Sequence, residues 1–223
     1  AGIIKNGVPC VVGKQAAEAL VEIQRVAKEK NAPLFVYGKD WHIGEIQPAL
    51  MGEHQKHNAA MAIACIKQLP QLNITDAQIA EGLQKTVWPA RLQKITEGKL
   101  CDLLPQDAEL WLDGGHNADA GKVLAEWSAT GKKLHVICGM MHTKDIAGFL
   151  KPLAPHIAQL YAVNIENEKN AAPASAVFNA AKELNIEAVD ASDFKTALKQ
   201  MPAGARILIC GSLYLAGKIL SEN

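Results

Sequence analysis

Apolar positions near the start of the chain form a short run, then a helical period, then a second short run. Residues 8–12 (Val-Pro-Cys-Val-Val) and residues 34–37 predict short buried strands. Between them, residues 15–30 predict an amphipathic helix whose apolar face carries Ala16, Leu20, Ile23 and Ala27. A strand, a helix and a strand in this order predict two parallel strands.

Helical patterns follow over residues 54–69 and 75–84, and the second of them begins with a capping-box spacing. The composition changes at residues 85–89, so we predict a domain boundary near residue 86. The two predicted domains are residues 1–86 and residues 87–223.

From residue 110 onwards, short apolar runs alternate with amphipathic segments. The predicted strands are residues 110–113, 134–139, 160–165, 188–189 and 206–211. The predicted helices are residues 118–129, 144–153, 174–184, 194–201 and 212–220. Five such alternations predict an α/β fold with a doubly wound, mostly parallel sheet of Rossmann type.

The stretch from Leu110 to Asn117 is a predicted strand that runs into a double glycine and then a helix. In open α/β sheets, ligands lie just outside the carboxyl ends of strands, and glycines let the backbone approach them closely. Asp113 can accept hydrogen bonds from ribose hydroxyls, and His116 can donate to a phosphate or carboxylate oxygen. The alternative is a plain turn in which Asn117 or Asp119 caps the helix.

Two further side chains have the chemistry of a nucleotide site. Arg91, at the predicted domain boundary, has a fork suited to bidentate contact with phosphate, and an ion pair between the two domains is the alternative. Asn58, on the helix predicted over residues 54–69, carries an amide that can read the edge of a base. Taken alone, Asn58 fits a structural hydrogen bond better.

Composition excludes several classes of protein. Lys and Arg number 23, as do Asp and Glu, so there is no basic footprint for nucleic acid. No apolar run reaches the roughly 18 residues that span a bilayer, and the first residues lack the zones of a signal peptide. The five cysteines are scattered singly, which predicts reduced thiols in a cytoplasmic protein.

Three other signals are rejected as ligand motifs. The stretch from Gly211 to Lys218 has five residues between its glycines and an isoleucine after the lysine, so it is not a Walker sequence. No Gly-x-Gly-x-x-Gly follows the first strand of the second domain, which argues against a dinucleotide. His54 and His57 lack a third ligand at a matching spacing, so we predict no metal site.

Five segments together resemble the folylpolyglutamate synthase / dihydrofolate synthase family, in the Mur-ligase-like group of ATP-dependent amide ligases. They follow the family's order: Ala-Gly-Ile-Ile-Lys-x-Gly-Val-Pro at 1–9, Gly-x-His-Gln-x-x-Asn-Ala-Ala at 52–60, Trp-Pro-Ala-Arg-Leu-Gln at 88–93, Asp-Gly-Gly-His-Asn at 113–117 and Gly-Ser-Leu-Tyr-Leu at 211–215. Three departures are mild: Ala90 stands where the family pattern has glycine, Gly115 where it has alanine, and Ala118 where proline commonly follows.

The resemblance implies roles for five residues. Asn58 would contact the adenine or ribose side of ATP, Arg91 its phosphates and Asp113 its ribose hydroxyls. His116 and Ser212 would lie on the glutamate side, and Arg91 and His116 would take part in catalysis.

The resemblance also implies a fold and a reaction. Residues 1–86 would be the C-terminal part of a P-loop-type central ATPase domain, and residues 87–223 a Rossmann-like C-terminal domain. The reaction would add L-glutamate to dihydropteroate or tetrahydrofolate through an acyl phosphate, with ATP and Mg²⁺, in an enzyme that is monomeric when complete.

Residues 1–223 contain neither a phosphate loop nor a convincing set of Mg²⁺ ligands, which the family carries in its N-terminal half. We therefore expect a C-terminal portion that is inactive alone and prone to associate. The alternatives are a non-catalytic remnant or binding module of the same fold, and a peptidoglycan-precursor ligase of the Mur type.

Overall fold

A computed structural model describes residues 1–223 and divides the chain into two compact units, Ala1–Val87 and Trp88–Asn223. The division lies next to residue 86, where the composition changes. No helix of the structure has the length and apolar character needed to cross a membrane.

In the first unit, two short parallel strands are joined by a helix, as the sequence predicts. β1 (Cys10–Val12) and β2 (Leu34–Val36) pair in parallel, and α1 (Ala17–Glu29) connects them. Two more helices follow, α2 (Glu53–Ile66) and α3 (Asp76–Lys85). Side chains of α1 pack on one face of the strand pair, and side chains of α2 pack on the other.

The second unit is a six-stranded sheet with helices on both faces. Its strands are β3 (Gln93–Ile95), β4 (Glu109–Leu112), β5 (Leu134–Cys138), β6 (Ile157–Val163), β7 (Ala188–Ser192) and β8 (Arg206–Cys210). Its helices are α4 (Ala118–Ser128), α5 (Ile146–Leu150), α6 (Ala174–Glu183), α7 (Phe194–Lys199) and α8 (Leu213–Glu222). The order across the sheet is β3-β4-β8-β5-β6-β7, and every pair is parallel except β3 with β4. This confirms the predicted mostly parallel, Rossmann-like sheet.

Side chains of the strands alternate between two cores. On β8, Ile207 and Ile209 face the core that includes α7 and α8. Leu208 and Cys210 face the core that includes α4, α5 and α6. Because both faces are covered, β8 is an unbroken apolar run after its first residue, Arg206.

Several elements differ in their bounds from the sequence prediction, and three of the differences have a clear cause. β3 was not predicted, because Gln-Lys-Ile has no apolar pattern and becomes a strand only by pairing with β4. The helix predicted over residues 144–153 is shorter, since the Asp145 side chain accepts the Gly148 N–H and caps a helix that begins at Ile146. β6 begins before the predicted residue 160, because Ile157 already pairs with Leu134.

One edge of the sheet, β7, is irregular. The pairing of β6 with β7 shifts register between Ala162 and Val163, and Ser192 has a left-handed φ of 62°. The side chain of Asp190, within the strand, is exposed and accepts a hydrogen bond from the Ser192 N–H at 3.2 Å. A charged and irregular edge is unfavourable for the addition of another strand.

The connections of the sheet change direction between β4 and β8. The helix that follows β4 packs on one face of the sheet, whereas the helix that follows β8 packs on the opposite face. Two neighbouring parallel strands whose helices leave on opposite sides form a topological switch point, which is where open α/β sheets bind ligands.

Gly211, directly after β8, lies where the backbone leaves no room for a side chain. Its φ is +104°, and a Cβ there would lie 2.7 Å from the carbonyl oxygen of Gly139. We expect Gly211→Ala to lower the free energy of unfolding by roughly 2–4 kcal/mol, because backbone strain adds to a clash with main chain. Urea unfolding followed by circular dichroism measures the loss.

Gly217→Ala is the matched control, because Gly217 lies within α8 with no atom within 4 Å of a Cβ. That change should raise stability by about 0.5–1 kcal/mol, since alanine loses less backbone entropy in a helix. Equal stability of the two variants would contradict the backbone constraint at Gly211.

His135, on β5, predicts a dependence of stability on pH. Its Nδ1 is buried without a hydrogen-bond partner, and burial lowers the pKa of the imidazole below 6.5. As the pH falls below about 6.5, the unfolded chain binds a proton at His135 that the folded chain does not. Stability should therefore fall through this window, and His135→Phe should reduce the slope in urea midpoints measured between about pH 8 and pH 5.

Candidate functional site

The candidate site lies at the switch point, where main-chain hydrogen bonds join the segments that follow β4 and β8. The Asp113 N–H donates to the Ile209 carbonyl at 3.0 Å, and the Gly211 N–H donates to the Gly115 carbonyl at 3.0 Å. Four of the five predicted site residues belong to segments that meet at this edge of the second unit: Arg91, Asp113, His116 and Ser212.

The carboxylate of Asp113 is buried, with 7% of the residue exposed, and both of its oxygens accept main-chain N–H groups. Oδ1 accepts from Gly115 at 2.7 Å, and Oδ2 accepts from Leu92 at 2.8 Å. Hydrogen bonds to an ionised carboxylate are among the stronger ones in proteins. The side chain predicted to bind ribose therefore holds two segments of its own chain together.

Arg91 lies in a loop of unusual backbone conformation, residues 88–93. The residues on either side of it, Ala90 and Leu92, have left-handed φ values of 57° and 44°. The Ala90 carbonyl accepts from the Gly114 N–H at 2.9 Å, and the Ala90 N–H donates to Gln93 Oε1 at 2.9 Å. Ala90 and Leu92 are buried, whereas Arg91 is half-buried and its guanidinium makes no hydrogen bond or ion pair. The loop thus presents a cation without a protein partner.

His116 is held at the start of the segment that leads into α4. Its Nδ1 lies 3.1 Å from the Gly114 carbonyl oxygen, which can only accept, so Nδ1 carries the hydrogen. The ring is half-buried, and Nε2 is the nitrogen that this bond does not use. Asn117, next to it, caps α4 by accepting the Ala120 N–H at 2.9 Å. The alternative of a helix cap is therefore correct for Asn117 and compatible with a ligand role for His116.

Ser212 is buried and caps α8. Its Oγ accepts the Tyr214 N–H at 3.1 Å, and 2% of the residue is exposed. A serine that caps a helix satisfies an N–H group that would otherwise lack a partner. The hydroxyl keeps its own proton to donate, so capping does not exclude the predicted contact on the glutamate side.

Asn58 lies in the first unit, on α2. Its side chain is exposed, and its Nδ2 donates to Oε1 of the buried Gln55 at 3.1 Å. The structural hydrogen bond expected of this residue is therefore present. Its contact with a nucleotide stays a prediction.

The first unit also contains a cavity of about 510 Å³ that no predicted site residue lines. The loop after β2 and the helices α2 and α3 form its wall, which carries side chains of both charges: His42, Glu45, Lys67 and Asp76. Nowhere in residues 1–223 do three His, Cys, Asp or Glu side chains form a group that could hold a metal ion.

Sequence reasoning missed how the backbone of the loop at residues 88–93 is held. The two left-handed residues and the brace from Gln93 have no signature in the sequence itself. The family pattern did indicate one of them. It has glycine at the position of Ala90, and glycine is the residue that adopts a left-handed φ most readily.

The chain matches known proteins over most of its length. Residues 98–222 match the family model described as "Dihydrofolate synthetase, C-terminal domain". The chain is 27% identical over 245 residues to folylpolyglutamate synthase of Lacticaseibacillus casei, covering 98% of this chain and 55% of that protein. It is 27% identical over 251 residues to dihydrofolate synthase/folylpolyglutamate synthase of Bacillus subtilis, with the same two coverages of 98% and 55%.

A solved structure has the same fold. The bifunctional folylpolyglutamate synthase/dihydrofolate synthase of Yersinia pestis, complexed with AMPPNP and a Mn ion, matches with a TM-score of 0.79 at 24% identity. The match covers 99% of this chain and 54% of that one. The chain therefore spans about half the length of the relatives that it matches.

The cap at Ser212 gives a prediction about the stability of the fold. Ser212→Ala should lower the free energy of unfolding by about 1 kcal/mol, because the Tyr214 N–H loses its acceptor. Asn117→Ala, which removes the corresponding cap of α4, is the matched control and should cost a similar amount. Chemical unfolding measures both, and a much larger loss at Ser212 would contradict a role limited to capping.

Proposed function

Because the chain belongs to the dihydrofolate synthetase family, we propose that it forms part of an ATP-dependent ligase that joins L-glutamate to dihydropteroate or tetrahydrofolate. The chain spans about half of its relatives, so the proposal concerns its contribution to the complete protein. The relatives are named as folate enzymes, which favours a folate substrate over a peptidoglycan precursor.

The observation that carries the proposal is the topological switch point between β4 and β8. Open α/β sheets bind ligands at such switch points. The side chains gathered there include a cation without a protein partner, Arg91, and a half-buried imidazole, His116. A site that stabilises phosphoryl oxygens needs groups of this kind more than it needs a covalent nucleophile.

In the proposed reaction, a carboxylate oxygen of the folate substrate attacks the γ-phosphorus of ATP, which gives an acyl phosphate and ADP. The amino group of glutamate then attacks the acyl carbon, and inorganic phosphate leaves as the amide forms. Negative charge builds first on the phosphoryl oxygens and then on the oxygen of the tetrahedral intermediate.

Each candidate residue has a part in this scheme. We propose that Arg91 binds the phosphates, with a planar fork that suits bidentate contact. Asn58 is assigned to the adenine side of ATP. The resemblance assigns Asp113 to the ribose side, where both of its oxygens already accept main-chain N–H groups. His116 and Ser212 are assigned to the side where glutamate and the reacting phosphate meet, and His116 acts there in catalysis with Arg91.

The proposal assigns the two units to parts of the complete enzyme. Residues 1–86 correspond to the C-terminal part of a P-loop-type central ATPase domain, and residues 87–223 to the Rossmann-like C-terminal domain. In keeping with the resemblance, we assign Mg²⁺ to the part of the relatives that this chain does not span.

Two further proposals concern the state of the protein. All five cysteines are free thiols, which supports a cytoplasmic location. We propose that the complete enzyme is a monomer and that residues 1–223 alone associate. Large apolar side chains exposed on the first unit support association, among them Ile3, Val21 and Leu72.

The inactivity of the isolated chain is the first test. Purified residues 1–223 given ATP, Mg²⁺, dihydropteroate and L-glutamate should form no product, because they contain no phosphate loop. Product in a chromatographic assay would overturn this prediction. The complete gene product should be active, and its failure with both dihydropteroate and tetrahydrofolate would favour the non-catalytic binding module.

The role of Arg91 is the second test. In the complete gene product, Arg91→Ala should lower kcat by about 100- to 1,000-fold, since it removes a cation from the developing phosphoryl charge. Arg91→Lys should recover part of the loss, because a point charge replaces a fork. Arg25→Ala is the control, as Arg25 is an exposed arginine paired with Glu22 on α1. Full activity of Arg91→Ala would remove this residue from the proposed site.

A further inference from the structure

We propose that Asp113 is a positioning residue, whose carboxylate fastens the Arg91 loop (residues 88–93) to the turn after β4. In this role it sets where the guanidinium of Arg91 lies. The proposal rests on the ATP-dependent function above, and it replaces a contact with ribose as the main task of Asp113.

The carboxylate of Asp113 lies between two segments of main chain. One oxygen accepts the N–H of Gly115, two residues further along, and the other accepts the N–H of Leu92, which precedes it by 21 residues. With 7% of the residue exposed, little of Asp113 faces a ligand. A ribose hydroxyl would have to share oxygens already engaged by the main chain.

The loop that Asp113 holds has a strained backbone. Ala90 and Leu92 both adopt left-handed φ values, and each costs about 1–2 kcal/mol for a residue with a side chain. Such conformations persist only when surrounding contacts over-determine them. Three hydrogen bonds do so here, and the one from Leu92 to Asp113 involves a full charge.

The strained loop carries Arg91, the proposed ligand of the phosphates. Arg91 lies between the two strained residues, so a change in either φ swings its side chain. Arg91 makes no hydrogen bond or ion pair of its own that could hold it in place. The position of the guanidinium therefore depends on the loop, and the loop depends on Asp113. A displacement of about 1 Å at a reacting centre costs on the order of 100-fold in rate.

The clamp itself is tested on residues 1–223 by hydrogen exchange. Asp113→Asn replaces one acceptor oxygen by an NH₂ group, so one of the two N–H donors loses its partner. The amide of Leu92 or Gly115 should exchange at least about 10-fold faster, in keeping with a hydrogen bond to a charged group. The Gly211 amide, bonded to the Gly115 carbonyl, reports whether the turn remains folded.

Asp119→Asn is the control for the exchange experiment, because Asp119 is an exposed carboxylate that pairs with Lys122 on α4. It should leave both reporter amides unchanged. Unchanged protection of Leu92 and Gly115 in Asp113→Asn would overturn the proposal, whatever reaction the complete protein performs. This result does not depend on the ligase function, so the two proposals fail separately.

The consequence for Arg91 is tested in the complete gene product by a double-mutant cycle. Asp113→Asn should lower kcat by about 100-fold in the wild-type background and less than about 3-fold in Arg91→Ala, because the loop then has no cation to place. Additive losses in the double variant would overturn the proposal. Asp119→Asn should leave kcat as in the wild type.

A comparison of ATP with 2′-deoxy-ATP separates positioning from contact with ribose. If Asp113 acts through Arg91, the ratio of kcat/KM for the two nucleotides should be the same in the wild type and in Asp113→Asn. A ratio that collapses to about 1 only in the variant would show that the carboxylate binds the 2′-hydroxyl, at about 10-fold or more for a charged hydrogen bond. That outcome would also overturn the proposal.

Gln93→Met serves if Asp113→Asn does not fold. It removes the other side-chain brace of the loop, the acceptor of the Ala90 N–H, without touching the turn after β4. In the wild-type background, Gln93→Met should lower kcat by less than Asp113→Asn does. In the Arg91→Ala background, it should lower kcat little further. Equal losses in both backgrounds would contradict the dependence of Arg91 on its loop.

Discussion

The second unit depends on one strand, β8, which comes last along the chain and lies in the middle of the sheet. Leu208 of β8 pairs with Trp111 on one side and with Val136 on the other, so the sheet is complete only when the C-terminal segment is in place. Such long-range pairing makes the sheet a product of the whole unit. β8 also separates β4 from β5, and the topological switch point therefore lies at the carboxyl ends of β4 and β8.

The candidate site contains a buried carboxylate, that of Asp113, which needs hydrogen bonds to be stable. A carboxylate out of water is stable when it accepts enough hydrogen bonds, and main-chain N–H groups supply them to Asp113. The same bonds tie a strained loop to the sheet. A single interaction thus links the strand order, the turn after β4 and the placement of Arg91, which is why this carboxylate matters without being the group that reacts.

Local patterns in the sequence were enough to predict the alternation of strands and helices. The apolar runs of β5 and β8 reflect burial on both faces, and the spacing of Thr75 and Gln78 predicted the capping box that starts α3. The insertion of β8 between β4 and β5 was not predictable in this way. Strand order is decided by packing between segments distant along the chain, and no local pattern records it.

The candidate site was predictable in its residue types and not in its construction. The acid, the double glycine and the histidine after β4 indicated a ligand turn. The partners of Asp113 are main-chain groups of Leu92 and Gly115, which carry no signature in the sequence. The left-handed backbone at Ala90 was not predictable either, because an alanine in the sequence does not indicate a positive φ as a glycine does.

The irregular edge at β7 has a consequence for self-association. The strand has a shifted register, a left-handed residue at Ser192 and an exposed charge at Asp190. These features interrupt the regular series of main-chain N–H and C=O groups with which a further strand would pair. Addition of a strand from a second copy of this chain is therefore unfavourable at that edge of the sheet. The opposite edge is β3, so growth of a sheet by repeated strand addition at both edges is disfavoured.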